Sequence, residues 1–281
     1  MDLTWLAELA SEFGGSGELR TAVSPSGAVI AYAGPVVIKV HHARTDPTLL
    51  LARLRLAADL SPADVLVAPI SIAVHRTPDG RSATVWPRLE VLDPTDRPPW
   101  ASAGTLLARL HLVDRGPIAS LPPLRPVARL ERALGRVPPS APVAPLLLGV
   151  GSAVVREAVS APADRRLVHG DWHLGQLGRP PGLEWQLLDV DDIGGGDPVW
   201  DLGRPAGFWA AGLLSDPEWD AFLVAYRSAG GPAVPADGDP WGRLDLPARA
   251  AVVTAACRAV SRPDADEQAI AEALFEVCRR M

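Results

Sequence analysis

The sequence predicts an α+β protein of two lobes, β-rich over residues 1–90 and mainly helical over residues 91–281. Three observations predict it. Short apolar and β-branched runs with turn signals between them crowd the N-terminal lobe. Apolar residues at helical spacing dominate beyond it. A proline-rich break, Asp93-Pro94 and Pro98-Pro99, separates the two textures. Strands followed by helices is the order of a segregated α+β chain.

The elements follow in order. Leu3, Leu6, Leu9 and Phe13 fall near helical spacing, so residues 2–13 read as a short amphipathic helix that Gly14, Gly15 and Gly17 end. Three strands follow, Glu18–Val23, Ala28–Ala33 and Val36–His41. Ser24-Pro25-Ser26-Gly27 and Gly34-Pro35 join them as hairpin turns. Asp46-Pro47 combines an N-cap with a proline at the first helical position, and Leu49, Leu50 and Leu54 carry a helix to about Asp59. Ala68–His75 and Ser82–Leu89 read as two more strands around the turn Thr77-Pro78-Asp79-Gly80. Helices are predicted over Ser102–Val113, 124–136 and 145–160, then strands at Arg166–His169 and Trp185–Val190, and helices from Trp200 onward.

Composition narrows the function. The 27 basic residues are 26 Arg and one Lys, Lys39, and there is no Asn. Under such a bias a lone lysine draws attention, either as a chance survivor on the surface or as a position that needs an ammonium. The formal net charge of −6 speaks against nucleic-acid or anionic-membrane binding and suits a cationic ligand. Cys257 and Cys278 have no metal-binding spacing and read as free thiols. There is no basic-then-apolar leader and no apolar run of membrane length, so the expected location is cytoplasmic. No obligate protein partner is evident.

The chemistry concentrates in residues 168–202. They read Val-His-Gly-Asp-Trp-His-Leu-Gly-Gln, then Leu-Leu-Asp-Val-Asp-Asp, then Gly-Gly-Gly-Asp-Pro-Val-Trp-Asp-Leu. One strand ends at Gly170-Asp171, a tight loop offers Gln176, and a second strand ends at Asp189 and Asp191. Carboxylate and amide oxygens at strand ends make the hard-oxygen environment that Mg²⁺ and a nucleotide phosphate prefer. His169 and His173 are four residues apart, but Gly170 argues against a helix between them and no third ligand is evident, so zinc is not expected.

This block resembles the aminoglycoside phosphotransferase and choline-kinase-like families, which share the protein-kinase-like fold. Their motif reads H-G-D-x-x-x-x-N, then I-D-F/W with acidic residues, then G-D-P-x-x-D-L. The resemblance implies a small-molecule kinase using ATP or GTP with Mg²⁺. Asp171 would be the catalytic base that accepts the proton of the substrate hydroxyl. Asp189 would bind the metal, Asp191 would assist a second metal ion, and Gln176 stands where the family usually has Asn as a metal ligand. His169, Asp197 and Asp201 would hold the loop. Lys39, in Val-Val-Ile-Lys-Val on the third strand, would contact the nucleotide phosphates. A compact ammonium suits that task better than a planar guanidinium.

Ser24, Ser26 and Gly27 would lie in the loop over the phosphates. Backbone groups near Arg88 and Glu90 would hydrogen-bond the base. One departure stands out. The family pairs its lysine with a Glu on the following helix, and residues 46–59 contain none. Asp46, Asp59 or Asp189 would have to compensate. This gap, with Gln176, also admits a non-catalytic, pseudokinase-like binding protein. There is no G-x-x-x-x-G-K-[ST] and no G-x-S-x-G, which removes P-loop kinases and α/β-hydrolases.

The acceptor is read from the C-terminal third. Asp192, Asp216, Glu218, Asp220, Asp237, Asp239 and Asp245 would attract a cationic small molecule, and an antibiotic of the aminoglycoside or capreomycin and viomycin type is the expectation, with resistance as the outcome. The alternative is a sugar kinase, maltokinase-like or acting on a glucosamine-type sugar, prompted by His-Leu-Gly-Gln.

Overall fold

The structure is a computed structural model. It describes all residues except Met1, 25–26, 61–64, 94, 114–120, 160–164 and 265–266. The chain divides into two compact units, Met1–Arg97 with Leu174–Asp191, and Pro98–His173 with Asp192–Met281.

The first unit opens with helix α1 (Leu3–Glu12), capped by Asp2, whose carboxylate accepts from the N–H groups of Thr4 and Trp5. Strands β1 (Arg20–Val23), β2 (Val29–Ala33) and β3 (Val36–Val40) follow, then helix α2 (Pro47–Leu60), β4 (Ser71–Arg76) and β5 (Ser82–Pro87). They form a five-stranded antiparallel sheet in the order β1-β2-β3-β5-β4. Val36, Ile38 and Val40 are buried against Leu6, Leu9 and Ala10 of α1, together with Ala83 and Val85. Side chains alternate across a strand, so that register turns Val37 and Lys39 to the opposite face. Asp46 caps α2 through the N–H groups of Thr48 and Leu49, as Asp46-Pro47 predicts.

A second small sheet in this unit joins β6 (Glu90–Val91), β8 (Leu177–Arg179) and β9 (Gln186–Leu187). The sequence anticipates β9 but neither β6 nor β8. Leu177 pairs with Leu187, and the next N–H, that of Leu188, donates to Gln176 O at 2.7 Å. That register sets Gln176 one residue from the position opposite Asp189.

The second unit contains α3 (Trp100–His111), α4 (Pro126–Leu134), α5 (Ala144–Val159), β7 (Arg166–Val168), β10 (Gly194–Gly196), α6 (Val199–Ala210), α7 (Asp216–Ser228), α8 (Trp241–Ser261) and α9 (Gln268–Arg280). Its core runs through Leu130, Leu147, Val154, Val253, Ala256, Cys257 and Leu274. Cys257 and Cys278 are buried free thiols, and burial pushes Cys257 up to about 12.

Strand β10 is unanticipated, because three glycines carry no strand signal. Close backbone approach explains them. A Cβ on Gly194 would stand 2.5 Å from Pro122 O, and one on Gly196 2.5 Å from the Leu124 Cβ. Gly203 and Gly207 do the same for helix packing, since a Cβ on either would meet the α8 backbone at 2.7 Å. They draw α6 onto α8 around Arg204. Among the described residues no helix is long and apolar enough to cross a membrane.

Candidate active site

In the first unit the lone lysine is the hub. Lys39 Nζ donates to Asp189 Oδ1 at 2.7 Å and lies 2.9 Å from Asp191 Oδ2. Burial works against the ammonium, but the two carboxylates outweigh it and raise its pKa above the ordinary value. No glutamate of α2 is needed. Of the three partners the sequence leaves open, the structure gives Lys39 Asp189, and adds Asp191.

Asp189 is held in an uncommon conformation. Its φ of +60° is the sole positive value outside glycine among the described residues. Aspartate tolerates this left-handed region better than most residues because its short side chain bonds locally. Here Oδ1 accepts the Asp191 N–H at 3.0 Å, closing a turn that aims both carboxylates at Lys39.

A chain of buried groups stands behind Asp191, and the sequence reading misses it. His41 Nδ1 lies 3.0 Å from Asp191 Oδ1, and His41 Nε2 lies 2.8 Å from Thr84 Oγ1. Trp86 Nε1–H donates to that same hydroxyl oxygen at 2.7 Å. The Thr84 hydroxyl oxygen thus meets both the His41 ring and the Trp86 indole. His41 contact and the Lys39 ammonium, set against burial, hold Asp191 below the ordinary carboxylate range. His41 sits two residues past Lys39, and that period-two spacing was the available signal.

The other expected groups of this unit fall as follows. Ser24, Gly27 and Ala28 spend their N–H groups inside the β1–β2 turn: Ser24 N donates to Ala28 O, Gly27 N to Ser24 O, and Ala28 N to Ser24 Oγ. The expected phosphate cradle therefore finds no free backbone donor at these three positions. Ser26 lies outside the described residues. The Arg88 N–H is also committed, to Pro35 O at 2.7 Å, so it is not a donor for the base. The Arg88 guanidinium lies 5.7 Å from the Tyr32 ring centre. Glu90 pairs in β6 with Arg179, and its carboxylate accepts from Arg179 Nε at 3.0 Å.

In the second unit Asp171 follows a fastened loop. Asp201 is buried, with its carboxylate accepting from His169 N at 2.7 Å and Gly170 N at 2.8 Å. His111 Nε2 lies 3.1 Å from the same carboxylate, and His111 Nδ1 2.8 Å from the Tyr226 hydroxyl. The Tyr226 oxygen accepts from Ala233 N. The acceptor-only carboxylate fixes the tautomer, with the proton on Nε2. Burial opposes the Asp201 charge, and these donors hold its pKa below the ordinary value. Gly170 has φ +81°, and a Cβ there would stand 2.4 Å from Asp192 O, so this turn requires glycine. Asp197 ties the start of α6 to α8 through Arg243 Nη2 at 2.8 Å.

Asp171 has a partner that the sequence reading does not identify. Arg129 Nη1 donates to Asp171 Oδ1 at 2.5 Å, and Nη2 donates to Asp192 Oδ2 at 2.8 Å. Asp171 and Arg129 lie in the wall of an open cleft. Trp172, Trp200, Arg204 and Arg258 share that wall.

A family model described as the phosphotransferase enzyme family matches residues 28–246. The chain belongs to that family. No curated protein matches it significantly by sequence. Solved structures match this phosphotransferase along nearly its whole length. A choline/ethanolamine kinase family protein from Mesorhizobium loti has a TM-score of 0.66 at 18% identity, covering 98% of this chain and 94% of the other. The GDP complex of wild-type aminoglycoside 2'-phosphotransferase-IIIa has a TM-score of 0.62 at 13% identity, covering 99% and 98%. Macrolide 2'-phosphotransferase type I has a TM-score of 0.58 at 20% identity, covering 98% and 96%. The fold of this phosphotransferase is therefore protein-kinase-like, as the sequence motifs imply.

Proposed function

We propose that the chain transfers the γ-phosphate of ATP or GTP to a hydroxyl group of a small molecule. The observation that carries this reading is the pairing of its only lysine with Asp189 and Asp191. A phosphate-binding ammonium and two candidate metal carboxylates stand together, the combination that phosphoryl transfer requires.

Lys39 would neutralise nucleotide phosphate oxygens, exchanging part of its carboxylate contact for theirs. Asp171 would accept the proton of the acceptor hydroxyl as its oxygen attacks the γ-phosphorus. The bond to the β,γ-bridging oxygen breaks, and the nucleoside diphosphate leaves with that electron pair. Asp201, through the His169 and Gly170 N–H groups, would keep the Asp171 turn in one conformation.

The donor set fits Mg²⁺. Asp189 and Asp191 would supply carboxylates, Gln176, close to them in strand register, would add an amide oxygen, and Mg²⁺ completes such sites with phosphate and water oxygens. When bound, the ion would neutralise charge on the transferring phosphate.

A pseudokinase-like binder loses its main motive once Lys39 has carboxylate partners. The antibiotic reading draws support from the likeness to macrolide and aminoglycoside phosphotransferases. The cationic character expected of the acceptor draws less. Asp192 serves Arg129, Asp216 accepts from the Trp209 indole, Glu218 completes a helix cap, Asp239 accepts from the Trp241 N–H and Asp245 pairs with Arg249. Nucleoside diphosphate release with ATP or GTP, across aminoglycosides, macrolides, basic cyclic peptides and sugars, tests the proposal. Acceptor-dependent release supports it. Absence of nucleotide binding and of release with every acceptor defeats it.

A further inference from the structure

The cleft beside Asp171 is rich in donors and short of acceptors. Arg204 of α6 and Arg258 of α8 line it, and neither has a hydrogen bond or an ion pair with a carboxylate among the described residues. Arg204 makes a cation–π contact with Phe208, at 5.3 Å from the ring centre, which leaves its N–H fork unspent. The indole N–H of Trp172, in the same wall, is buried with no acceptor among the described residues. The cleft's two carboxylates are already engaged. Asp171 is bound by Arg129, and Asp201 by His169 N, Gly170 N and His111.

Arg204 is held in this position by the fold rather than by a counter-charge. Its neighbours Gly203 and Gly207 let α6 approach α8 closely, and Arg258 projects from α8 into the same cleft. Burial first, and then the nearby Arg258 charge, pull the Arg204 guanidinium below its ordinary pKa, with only partial relief from Asp171 and Glu267. A half-buried guanidinium without a partner is costly, and an oxyanion delivered by a ligand relieves the cost. A polycation would add to it.

We infer that the acceptor carries its own anionic group, a carboxylate or a phosphate, which Arg204 and Arg258 bind while its hydroxyl is presented to Asp171. Trp200, half-buried in the same wall, offers a flat face for the acceptor skeleton, as aromatic rings do for sugars and polyols. This rests on the phosphotransferase reading and narrows it to hydroxylated acids and phosphate esters. It departs from the cationic acceptor that the net charge suggests.

Binding tests it without requiring turnover. Glucuronate and glucose 6-phosphate serve as anionic probes, glucose as the neutral control and kanamycin as the cationic one. Each is titrated by calorimetry into the full chain, and into the Arg204→Gln and Arg258→Gln variants. The expected result is that at least one anionic probe binds about tenfold or more tighter than glucose, that kanamycin binds weaker still, and that each variant loses about 10- to 100-fold of the anion affinity. Circular dichroism of the variants checks that they remain folded, and the double variant Arg204→Lys with Arg258→Lys, which keeps the charges, recovers part of the affinity. Equal affinity for charged and neutral probes, preference for kanamycin, or an anion preference that both Gln variants retain would each overturn the inference. None of these outcomes bears on phosphate transfer itself, which the release assay reads separately.

Discussion

Replacing Lys39 by Met removes the ammonium and leaves two carboxylates facing each other. The Lys39 side chain is 14% exposed, and those of Asp189 and Asp191 are 32% and 31% exposed. Breaking a buried ion pair costs about 3–5 kcal/mol, whereas an exposed one is worth about 0–1 kcal/mol. A site one-third open lies between these limits, so Lys39→Met should lose about 2–3 kcal/mol, or about 4–12 °C in Tm for a chain of this size. The loss should depend on pH with a definite sign. The Asp191 pKa is depressed in the folded state, so its contribution is present above the ordinary carboxylate value of 3.8 and is lost as pH falls. The Lys39 pKa is raised, so its contribution is present below 10.5 and is lost at higher pH. The Lys39→Met penalty should therefore be full near neutrality and shrink in acid. Lys39→Arg keeps the charge and should recover most of the stability, yet lose about tenfold in nucleotide affinity, because the planar fork does not replace the compact ammonium. Thermal unfolding across pH, with nucleotide titration at neutral pH, reads both effects. An unchanged Tm in Lys39→Met, or full nucleotide affinity in both variants, would refute the reasoning.

Two further expectations address the second unit. Asp201→Asn removes a charged acceptor from the His169 and Gly170 N–H groups. It should cost about 2–3 kcal/mol in denaturant unfolding and slow transfer while leaving nucleotide affinity intact; a variant as stable as the parent contradicts the fastening role. Burial, then the Arg204 charge, lower the His173 pKa from 6.5 to about 4, so the folded state resists a proton that the unfolded chain accepts. Stability should fall as pH drops from 6.5 towards 4, by about 1–2 kcal/mol once partial exposure is allowed for, and His173→Gln should flatten that slope in urea titrations.

The apolar run Val36–His41 after the Gly34-Pro35 turn placed β3, and the ordered motif singled out the loops that carry Asp171 and Asp189. The elements that escaped reading are those whose cause lies far along the chain. β10 is three glycines and exists because the Pro122–Leu124 backbone approaches it. β6 and β8 are two and three residues long and form because they pair with each other. Asp189, one of the three partners that the sequence leaves open for Lys39, lies 150 residues along the chain from it, and Asp191 joins it only in the folded structure. Arg129, Arg204 and Arg258 were invisible for a compositional reason. In a chain with 26 arginines, three that line one cleft carry no local mark. The caps and ion pairs of the acidic residues likewise appear only once the helices are packed. The lone lysine was legible because the same bias made it rare.

We propose that Asp171 serves phosphate transfer from a nucleotide held by Lys39. The most direct measurement follows the γ-phosphate of labelled ATP into product, for the parent chain and Asp171→Asn, with nucleotide affinity measured in parallel. When no acceptor of the panel is used, slow transfer to water provides the signal. Nucleotide affinity should stay within about twofold of the parent while transfer falls by about 10²- to 10⁴-fold. Transfer by Asp171→Asn within about tenfold of the parent would contradict it.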